Sequence, residues 1–234
     1  LIEETMQELE FDIAILLPTR GRTTGLTDSV KTLFDNVKNV DRVCLMLGFD
    51  DDDEVGIDHF STNIVPFLDS IGAHYQALTF PRMGYTALNR YYNQLAKQVQ
   101  ANWYFVWNDD AVMNTKNWDE KIIKENGNLA LLKVHTHNEH PYSIFPIVPH
   151  IWFKETGCLS KHQMIDAELS QIGYMLDLIK IIDIDVTHDQ SDLTGNQDST
   201  SLEKNRFEGN PADPRDFHHP DNVRERLEDC VKLA

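Results

Sequence analysis

The chain has 234 residues, of which 41% are hydrophobic and 25% are charged, a composition typical of a soluble globular protein with a large core. Its 21 basic and 38 acidic residues give a formal charge of −17, which argues against nucleic acid or an anionic membrane surface as a partner. The three cysteines lie far apart, at positions 44, 158 and 230, so we predict no disulfide framework and a reducing, cytoplasmic compartment. No signal-peptide pattern and no apolar run long enough for a membrane span is present in the sequence.

Strand-like and helix-like segments alternate through the first half of the chain, which predicts an α/β fold. Short apolar runs predict strands at residues 12–18, 42–47 and 75–80. Apolar residues at helical spacing predict helices within residues 26–37, 60–71 and 88–99.

The pattern is looser in the second half. It predicts helices at residues 116–126 and 164–178 and strands at 129–134 and 181–186. Residues 141–153 are rich in proline and aromatic side chains, and no element is predicted there. The polar residues 189–220 predict a long loop or lid. From position 221, three apolar residues at i, i+4 and i+8 predict a short closing helix: Val223, Leu227 and Val231.

The most informative stretch is Trp-Tyr-Phe-Val-Trp-Asn-Asp-Asp at residues 103–110. Its aromatic run predicts a strand buried on both faces of a mostly parallel sheet, and the carboxyl ends of such strands form the ligand-binding edge of open α/β sheets. Asp109 and Asp110 would repel each other there, which a divalent cation such as Mg²⁺ or Mn²⁺ would relieve. The alternative is a strand followed by a simple Asx turn.

The order of these features resembles a GT-A-fold glycosyltransferase of the family 2 type. The segment from Ile13 to Arg22 resembles the first strand and nucleotide-binding turn of that family. The resemblance implies that Thr19 and Arg20 contact the nucleotide, and that Asp50 or Asp51 contacts the base. Arg82 falls where an arginine of the family approaches the nucleotide, although it could equally form a surface ion pair.

Asn108, Asp109 and Asp110 occupy the position of the Asp-x-Asp motif of the family, with Asn108 in place of the first aspartate. The resemblance implies that Asp110 holds the metal and that Asp109 contacts the ribose or the metal shell. His188 follows the last strand, where related enzymes bring a histidine to the metal; a structural role is the alternative.

Residues 157–160 and 165–169 resemble the acceptor-side turn and helix start of the family, with Ile165 in place of its usual glutamate. The resemblance makes Asp166 the base that takes a proton from the acceptor hydroxyl. The alternative is a helix N-terminal acid that complements the helix dipole. His150 and Trp152 could form an aromatic wall for a sugar acceptor, and such residues are equally common in a core.

The implied protein is one GT-A domain with a Rossmann-like, mostly parallel central sheet flanked by helices and an irregular acceptor-side C-terminal half. Residues 12–110 would bind the nucleotide, 111–190 the acceptor, and 191–234 would form a polar lid or tail with the closing helix. The implied activity is transfer of a sugar from a nucleotide-diphosphate donor, with UDP-sugars favoured, to a glycan or other hydroxyl acceptor, with Mn²⁺ or Mg²⁺ as cofactor. The sequence leaves the oligomeric state open.

Two other functions stay open. His135, His137 and His140 have the spacing of a zinc site in metallo-β-lactamase-type hydrolases, although Glu139 stands where that fold normally has aspartate. These histidines could also line a polar acceptor loop or lie on the surface. The third function is a catalytically silent module that binds a sugar nucleotide or a metal on the same scaffold.

Overall fold

The structure is a computed structural model and describes residues 9–136, 139–188 and 206–234. Its centre is an eight-stranded sheet in the order β3-β2-β1-β4-β7-β6-β8-β5. The strands are β1 (Phe11–Thr19), β2 (Val43–Asp50), β3 (His74–Phe80), β4 (Ala101–Val106), β5 (Ala111–Met113), β6 (Leu131–Thr136), β7 (Ile147–Pro149) and β8 (Ile179–His188).

The pairing of the strands sets the ligand-binding edge of the sheet. β1 lies between β2 and β4 and is parallel to both, and β3 extends the parallel part beyond β2. β7 is antiparallel to β4 and β6, β8 is parallel to β6, and β5 closes the sheet antiparallel to β8. Since the chain leaves β1 towards β2 on one side and later returns to β4 on the other, the topological switch point lies between β1 and β4.

Helices cover both faces of the sheet. Against one face lie α1 (Thr23–Asp35), α2 (Glu54–His59) with a π-helical turn (Phe60–Ile64) and α3 (Val65–Ser70), and α5 (Trp118–Ile123). Against the other lie α4 (Leu88–Lys97), α6 (His150–Thr156), α7 (Ile165–Met175) and α8 (Pro220–Leu233). No helix in the described part of the chain has the length and hydropathy needed to cross a membrane.

The core consists of two layers, one on each face of the sheet. Because successive side chains of a strand point to opposite faces, each buried strand contributes to both layers. On β1, Ile13 and Ile15 pack towards α1, and Ala14 and Leu16 pack towards α4. The aromatic run divides in the same way: Trp103, Phe105 and Trp107 enter the first layer, and Tyr104 and Val106 the second. This confirms a strand buried on both faces and the α/β fold with a mostly parallel sheet.

Two features of the C-terminal half were not predicted from the sequence. Residues 141–153 contain β7 and the first four residues of α6. The closing helix is present as α8, but Val223, Leu227 and Val231 are 37%, 51% and 79% exposed, because the helix buries its other face. Within the predicted loop at 189–220, residues 206–219 form successive turns, and residues 189–205 lie outside the described part.

Candidate functional site

A cleft of about 550 Å³ lies at the carboxyl ends of β1, β2 and β4, beside the switch point. Thr19 ends β1, Asp50 ends β2, and Asn108 to Asp110 follow β4, so three strand ends deliver polar side chains to one place. The far wall comes from the segment before α4 and from α4 itself, through Arg82, Tyr85 and other residues. The sheet therefore brings together residues that are far apart in the sequence.

Helix α1 fixes the loop that carries the acids. Trp107 continues β4 by donating its backbone N–H to the Leu16 carbonyl at 3.0 Å, and its indole donates to the Ser29 hydroxyl at 2.8 Å. That hydroxyl in turn donates to the Asn108 carbonyl at 3.0 Å. Gly25 lies so close that a Cβ there would be 2.8 Å from the Asp109 carbonyl oxygen. The carboxylates are thus presented by a rigid support.

The guanidinium of Arg22 contacts both Asp109 and Asp110. The Thr19 hydroxyl donates to Asp109 Oδ2 at 2.6 Å. Nη1 of Arg22 lies 3.2 Å from Asp109 Oδ1 and 3.0 Å from Asp110 Oδ2, so a single guanidinium nitrogen contacts both carboxylates. Two adjacent buried acids would otherwise repel each other, and this contact offsets part of that cost.

The environments of the two acids push their pKa values apart. Burial raises the pKa of Asp109 above its usual value, and the hydrogen bond from Thr19 and the charge of Arg22 oppose that rise only in part. Burial acts in the same direction on Asp110, but His188 and Arg22 outweigh it and lower the pKa of Asp110. Asp110 is therefore the more readily ionised of the two carboxyl groups.

His188 lies beside Asp110. Its Nε2 is 3.1 Å from Asp110 Oδ1, without the alignment of a hydrogen bond, and its ring packs edge-on against Phe145. Asp110 Oδ1 and His188 Nδ1 are both buried without a hydrogen-bond partner. An orphaned carboxylate oxygen next to an imidazole suits a divalent cation. Within the described residues, no group of three or more His, Cys, Asp or Glu side chains is placed to bind a metal, so a cation here would take its other ligands from substrate or water.

Tyr92 lies next to the loop that carries Asp109 and Asp110. Its hydroxyl is 2.9 Å from the Trp107 carbonyl oxygen and 3.0 Å from Asn108 Oδ1, so its single proton is shared between two acceptors. Burial raises the pKa of Tyr92 well above its usual value, and the charges of Asp109, Asp110 and Asp166 add to the rise. Asp166 is half-buried in the first turn of α7. It therefore lies within electrostatic range of the same hydroxyl as the acid pair, although it does not line the cleft itself.

The end of β2 carries a second charged cluster. Asp50 accepts a short hydrogen bond from the Tyr91 hydroxyl and another, at 2.9 Å, from Arg20. Arg20 also pairs with Asp52, and Arg82 reaches that same carboxylate at 3.7 Å. Of the two predicted base contacts, Asp50 lines the cleft, whereas Asp51 is exposed and bonds through its backbone to Phe80.

Solved structures with a fold similar to that of this chain include several glycosyltransferases. A mannosyltransferase from Pyrobaculum calidifontis, solved with GDP-Man and Mn²⁺, matches with a TM-score of 0.61 over 97% of this chain and 77% of its own, at 5% identity. S. aureus TarS 1–349, solved with UDP, matches with a TM-score of 0.57 over 79% of this chain at 10% identity. GalNAc-T7, solved with UDP, GalNAc and Mn²⁺, matches with a TM-score of 0.55 over 78% of this chain and 44% of its own, at 10% identity.

The chain has a GT-A-like fold. It spans 63% of TarS 1–349, so the similarity covers part of that protein. No family model matches the chain, and no curated protein matches it by sequence. In this GT-A-like fold, the predicted nucleotide and metal residues Thr19, Arg20, Asp50, Arg82 and Asn108 to Asp110 all line one cleft, and His188 contacts Asp110.

The predicted acceptor residues lie elsewhere in the GT-A-like fold. Trp152 is 1% exposed and packs in the second core layer, so its side chain is part of the core and does not line the cleft. His150 is half-buried at the start of α6, 3.1 Å from the Tyr104 hydroxyl. The role of His150 in acceptor binding stays a prediction.

Among the described residues, the histidine segment has no group of side chains placed to bind a metal. His135 Nδ1 lies 3.4 Å from Glu139, and His140 Nδ1 accepts a hydrogen bond from the Tyr142 backbone. The side chain of Lys133 donates to the His140 carbonyl at 2.6 Å. His137, the middle residue of the spacing, lies outside the described residues.

The sequence did not identify several residues that shape the site. Arg22 contacts acids 87 and 88 positions away, and Tyr91 and Tyr92 bond to Asp50 and Asn108. The two tyrosines appeared as apolar members of a helix stripe, and nothing in that periodicity reveals where their hydroxyls point. For Arg22, its position three residues after the end of β1 was the only signal available.

Proposed function

We propose that the chain is a metal-dependent glycosyltransferase of the family 2 type, which moves a sugar from a nucleoside-diphosphate donor to a hydroxyl acceptor. One observation carries the proposal: an orphaned buried oxygen of Asp110 lies beside His188 at the carboxyl end of β4 in a GT-A-like fold. UDP-sugars are the favoured donors, which agrees with UDP in the TarS and GalNAc-T7 structures. Residues 12–110 would bind the nucleotide and residues 111–190 the acceptor.

Asp110 and His188 would hold Mn²⁺ or Mg²⁺, which when bound supplies positive charge near the departing diphosphate. Thr19, Asn108 and Asp109 line the same cleft and would contact the nucleotide sugar. Asp50, Arg20 and Arg82 lie at the β2 end, where they would contact the base and the rest of the nucleotide. The cluster of arginines and aspartates there offers both donors and acceptors for a nucleobase edge.

Asp166 acts as the base in this proposal. It takes the proton of the acceptor hydroxyl while that oxygen forms a bond to the anomeric carbon, and the bond from that carbon to the diphosphate oxygen breaks. Support comes from the charge of Asp166, which acts on the hydroxyl of Tyr92, the residue that also bonds to Asn108. The transfer needs a base at the acceptor hydroxyl and positive charge at the leaving diphosphate.

The test separates the two carboxylate roles. Asp166→Asn should bind UDP with Mn²⁺ as the unmodified chain does, but should release UDP from a panel of UDP-sugars about a hundredfold more slowly or worse, because the base is lost. Asp110→Ala should instead weaken Mn²⁺-dependent UDP binding itself by about tenfold or more. Calorimetry measures the binding, and a coupled assay of UDP release measures turnover.

Asp177→Asn is the matched control. Asp177 is exposed at the other end of α7 and has a left-handed backbone that asparagine tolerates, so binding and turnover should not change. Normal turnover by Asp166→Asn would remove the base assignment. Failure of the unmodified chain to bind UDP or GDP with either metal would overturn the proposal.

The cellular location is part of the proposal. Cys44, Cys158 and Cys230 are all free thiols, which agrees with a reducing compartment such as the cytoplasm.

A further inference from the structure

The charged side chains of the cleft balance each other. Among the described residues that line it are three arginines, Arg20, Arg22 and Arg82, and three aspartates, Asp50, Asp109 and Asp110. The whole chain carries a formal charge of −17, so this balance is local. A nucleoside-diphosphate sugar is a dianion, and a divalent cation that enters with it would keep the cleft neutral.

The three arginines are placed differently. Arg20 and Arg82 both pair with Asp52 at the β2 end of the cleft, where Arg20 also contacts Asp50. Arg22 lies at the β4 end, where its Nη1 contacts both acids of the proposed metal site. Its side chain is 39% exposed, so it faces the cleft and is not locked in the core. Arg22 is therefore the arginine next to the place where the diphosphate would lie.

We infer that Arg22 is a phosphate-binding residue that contacts the Asp109 and Asp110 carboxylates until a divalent cation binds Asp110. The inference rests on the proposed function, since it takes the ligand of the cleft to be a nucleoside diphosphate. Before the ligand binds, the guanidinium neutralises the acid pair. When the cation binds Asp110, its charge repels the guanidinium of Arg22, and the guanidinium turns to the phosphate oxygens that arrive with the cation.

The exchange follows from the chemistry of the groups. Arg22 contacts Oδ2 of Asp110, and the cation would bind Oδ1 of the same carboxylate, so two positive charges would lie on one carboxylate and each would weaken the binding of the other. Arginine is also the side chain best suited to phosphate oxygens, because its planar fork matches their geometry. A resting place on the acids keeps Arg22 ordered at the mouth of the site. The same residue thus weakens binding of the cation alone and strengthens binding of the cation together with a diphosphate.

Arg22→Gln tests both halves of this inference. Titration with Mn²⁺ alone, followed by the spectroscopic signal of free Mn²⁺, should show severalfold tighter binding in the variant, because the competing cation is gone. With saturating Mn²⁺, calorimetry should show UDP binding about tenfold to hundredfold weaker, as expected for the loss of a charge-assisted hydrogen bond. Binding of uridine, which has no phosphate, should not change.

Two further variants complete the design. Arg224→Gln makes the same change of charge at an exposed position on α8 that pairs with Asp221, and should change neither binding constant. Arg22→Lys keeps a positive charge but not the planar fork, so UDP binding should fall by about tenfold. Arg22→Lys replaces Arg22→Gln in the test if the glutamine variant does not fold.

The outcomes distinguish this inference from the proposed function. If the unmodified chain binds UDP with Mn²⁺ but Arg22→Gln binds UDP equally well, Arg22 is not a phosphate ligand and the inference alone is overturned. Mn²⁺ binding that weakens in Arg22→Gln would show that Arg22 supports the metal site and does not compete for it, which also overturns the inference. If the unmodified chain binds neither UDP nor GDP, the proposed function fails and the inference falls with it.

Discussion

His162 is a buried histidine whose two ring nitrogens are both used in the neutral form. The residue is 4% exposed. Its Nε2 donates to the Arg215 carbonyl at 3.1 Å, and its Nδ1 accepts from the Met164 backbone at 3.1 Å. Burial lowers the pKa of His162 to about 4 from its usual 6.5, and the hydrogen bond to the Arg215 carbonyl opposes that shift only in part. The ring therefore ties the start of α7 to the turns before α8 only while it is neutral.

We predict that this histidine makes the fold sensitive to acid. Because the pKa is lower in the folded state, the stabilising contribution is present above pH 6.5 and is lost as the pH falls through about 4. The full loss corresponds to about 3 kcal/mol of unfolding free energy. Urea unfolding of the unmodified chain and of His162→Gln, repeated from pH 7 to pH 4, gives the unfolding free energy of each protein at each pH. The unfolding free energy of the unmodified chain should fall more steeply with decreasing pH than that of the variant.

Glu168 provides the check on that experiment. Burial raises its pKa, so its own contribution to stability is present at low pH and is lost as the pH rises, opposite to that of His162. Glu168 is unchanged in both proteins, so their difference isolates the histidine. If the unfolding free energies of the two proteins fall equally with decreasing pH, the assignment of the acid sensitivity to His162 is refuted.

At the scale of elements, α1 and the β4–β5 loop form one support for the acid pair. In addition to the Ser29 contacts, Thr32 accepts from the Met113 backbone N–H at 3.1 Å, and Asn36 donates to the Met113 carbonyl at 2.9 Å. Gly25 has the closest approach, because its missing side chain leaves room for the Asp109 carbonyl. The position of the carboxylates thus depends on how close α1 can come.

Gly25→Ala should therefore behave opposite to the usual glycine replacement. In an open helix, alanine stabilises by about 1 kcal/mol. Here the new methyl group would lie 2.8 Å from a backbone oxygen that cannot swing aside, so we expect lower stability and weaker Mn²⁺-dependent UDP binding. Thr24→Ala, at the exposed neighbouring position, is the control for both measurements. Gain of stability with unchanged binding in Gly25→Ala would show that the helix can move without cost.

Elements differ in how far the sequence predicts them. The aromatic run at residues 103–107 predicted β4, because five consecutive apolar residues are typical of a strand that is buried on both faces. The three-residue strand β7 is too short to show a period, and α6 follows it directly. In α8 the apolar stripe predicted the helix correctly but not its orientation. Its buried face is set by tertiary contacts that the apolar spacing does not encode, such as those of Arg226 with Phe217 and of Asp229 with Lys161.

The same reason limits the prediction of the site. The resemblance to GT-A glycosyltransferases implied that Thr19, Asp50 and Asp109 bind the same nucleotide sugar, and the three residues line one cleft. Which arginine contacts which aspartate depends on the direction in which each side chain extends across that cleft. Arg20 and Arg22 are two residues apart and pair with opposite ends of the cleft, which no spacing in the sequence reveals.

At the scale of the whole molecule, binding of a ligand to the folded state alone must raise its stability. At a ligand concentration of about a hundred times the dissociation constant, the gain is about 2.7 kcal/mol, which for a chain of this size raises the melting temperature by about 5 to 10 °C. We predict such a shift with UDP plus Mn²⁺ or Mg²⁺, and a smaller one with UDP plus a chelator, because Asp110 and His188 then contribute little. Thermal unfolding with UDP, GDP and ADP, each with Mn²⁺, Mg²⁺, Zn²⁺ or chelator, measures it. Stabilisation by Zn²⁺ alone, with no response to any nucleotide, would contradict the transferase and favour a hydrolase site built from His135, His137 and His140.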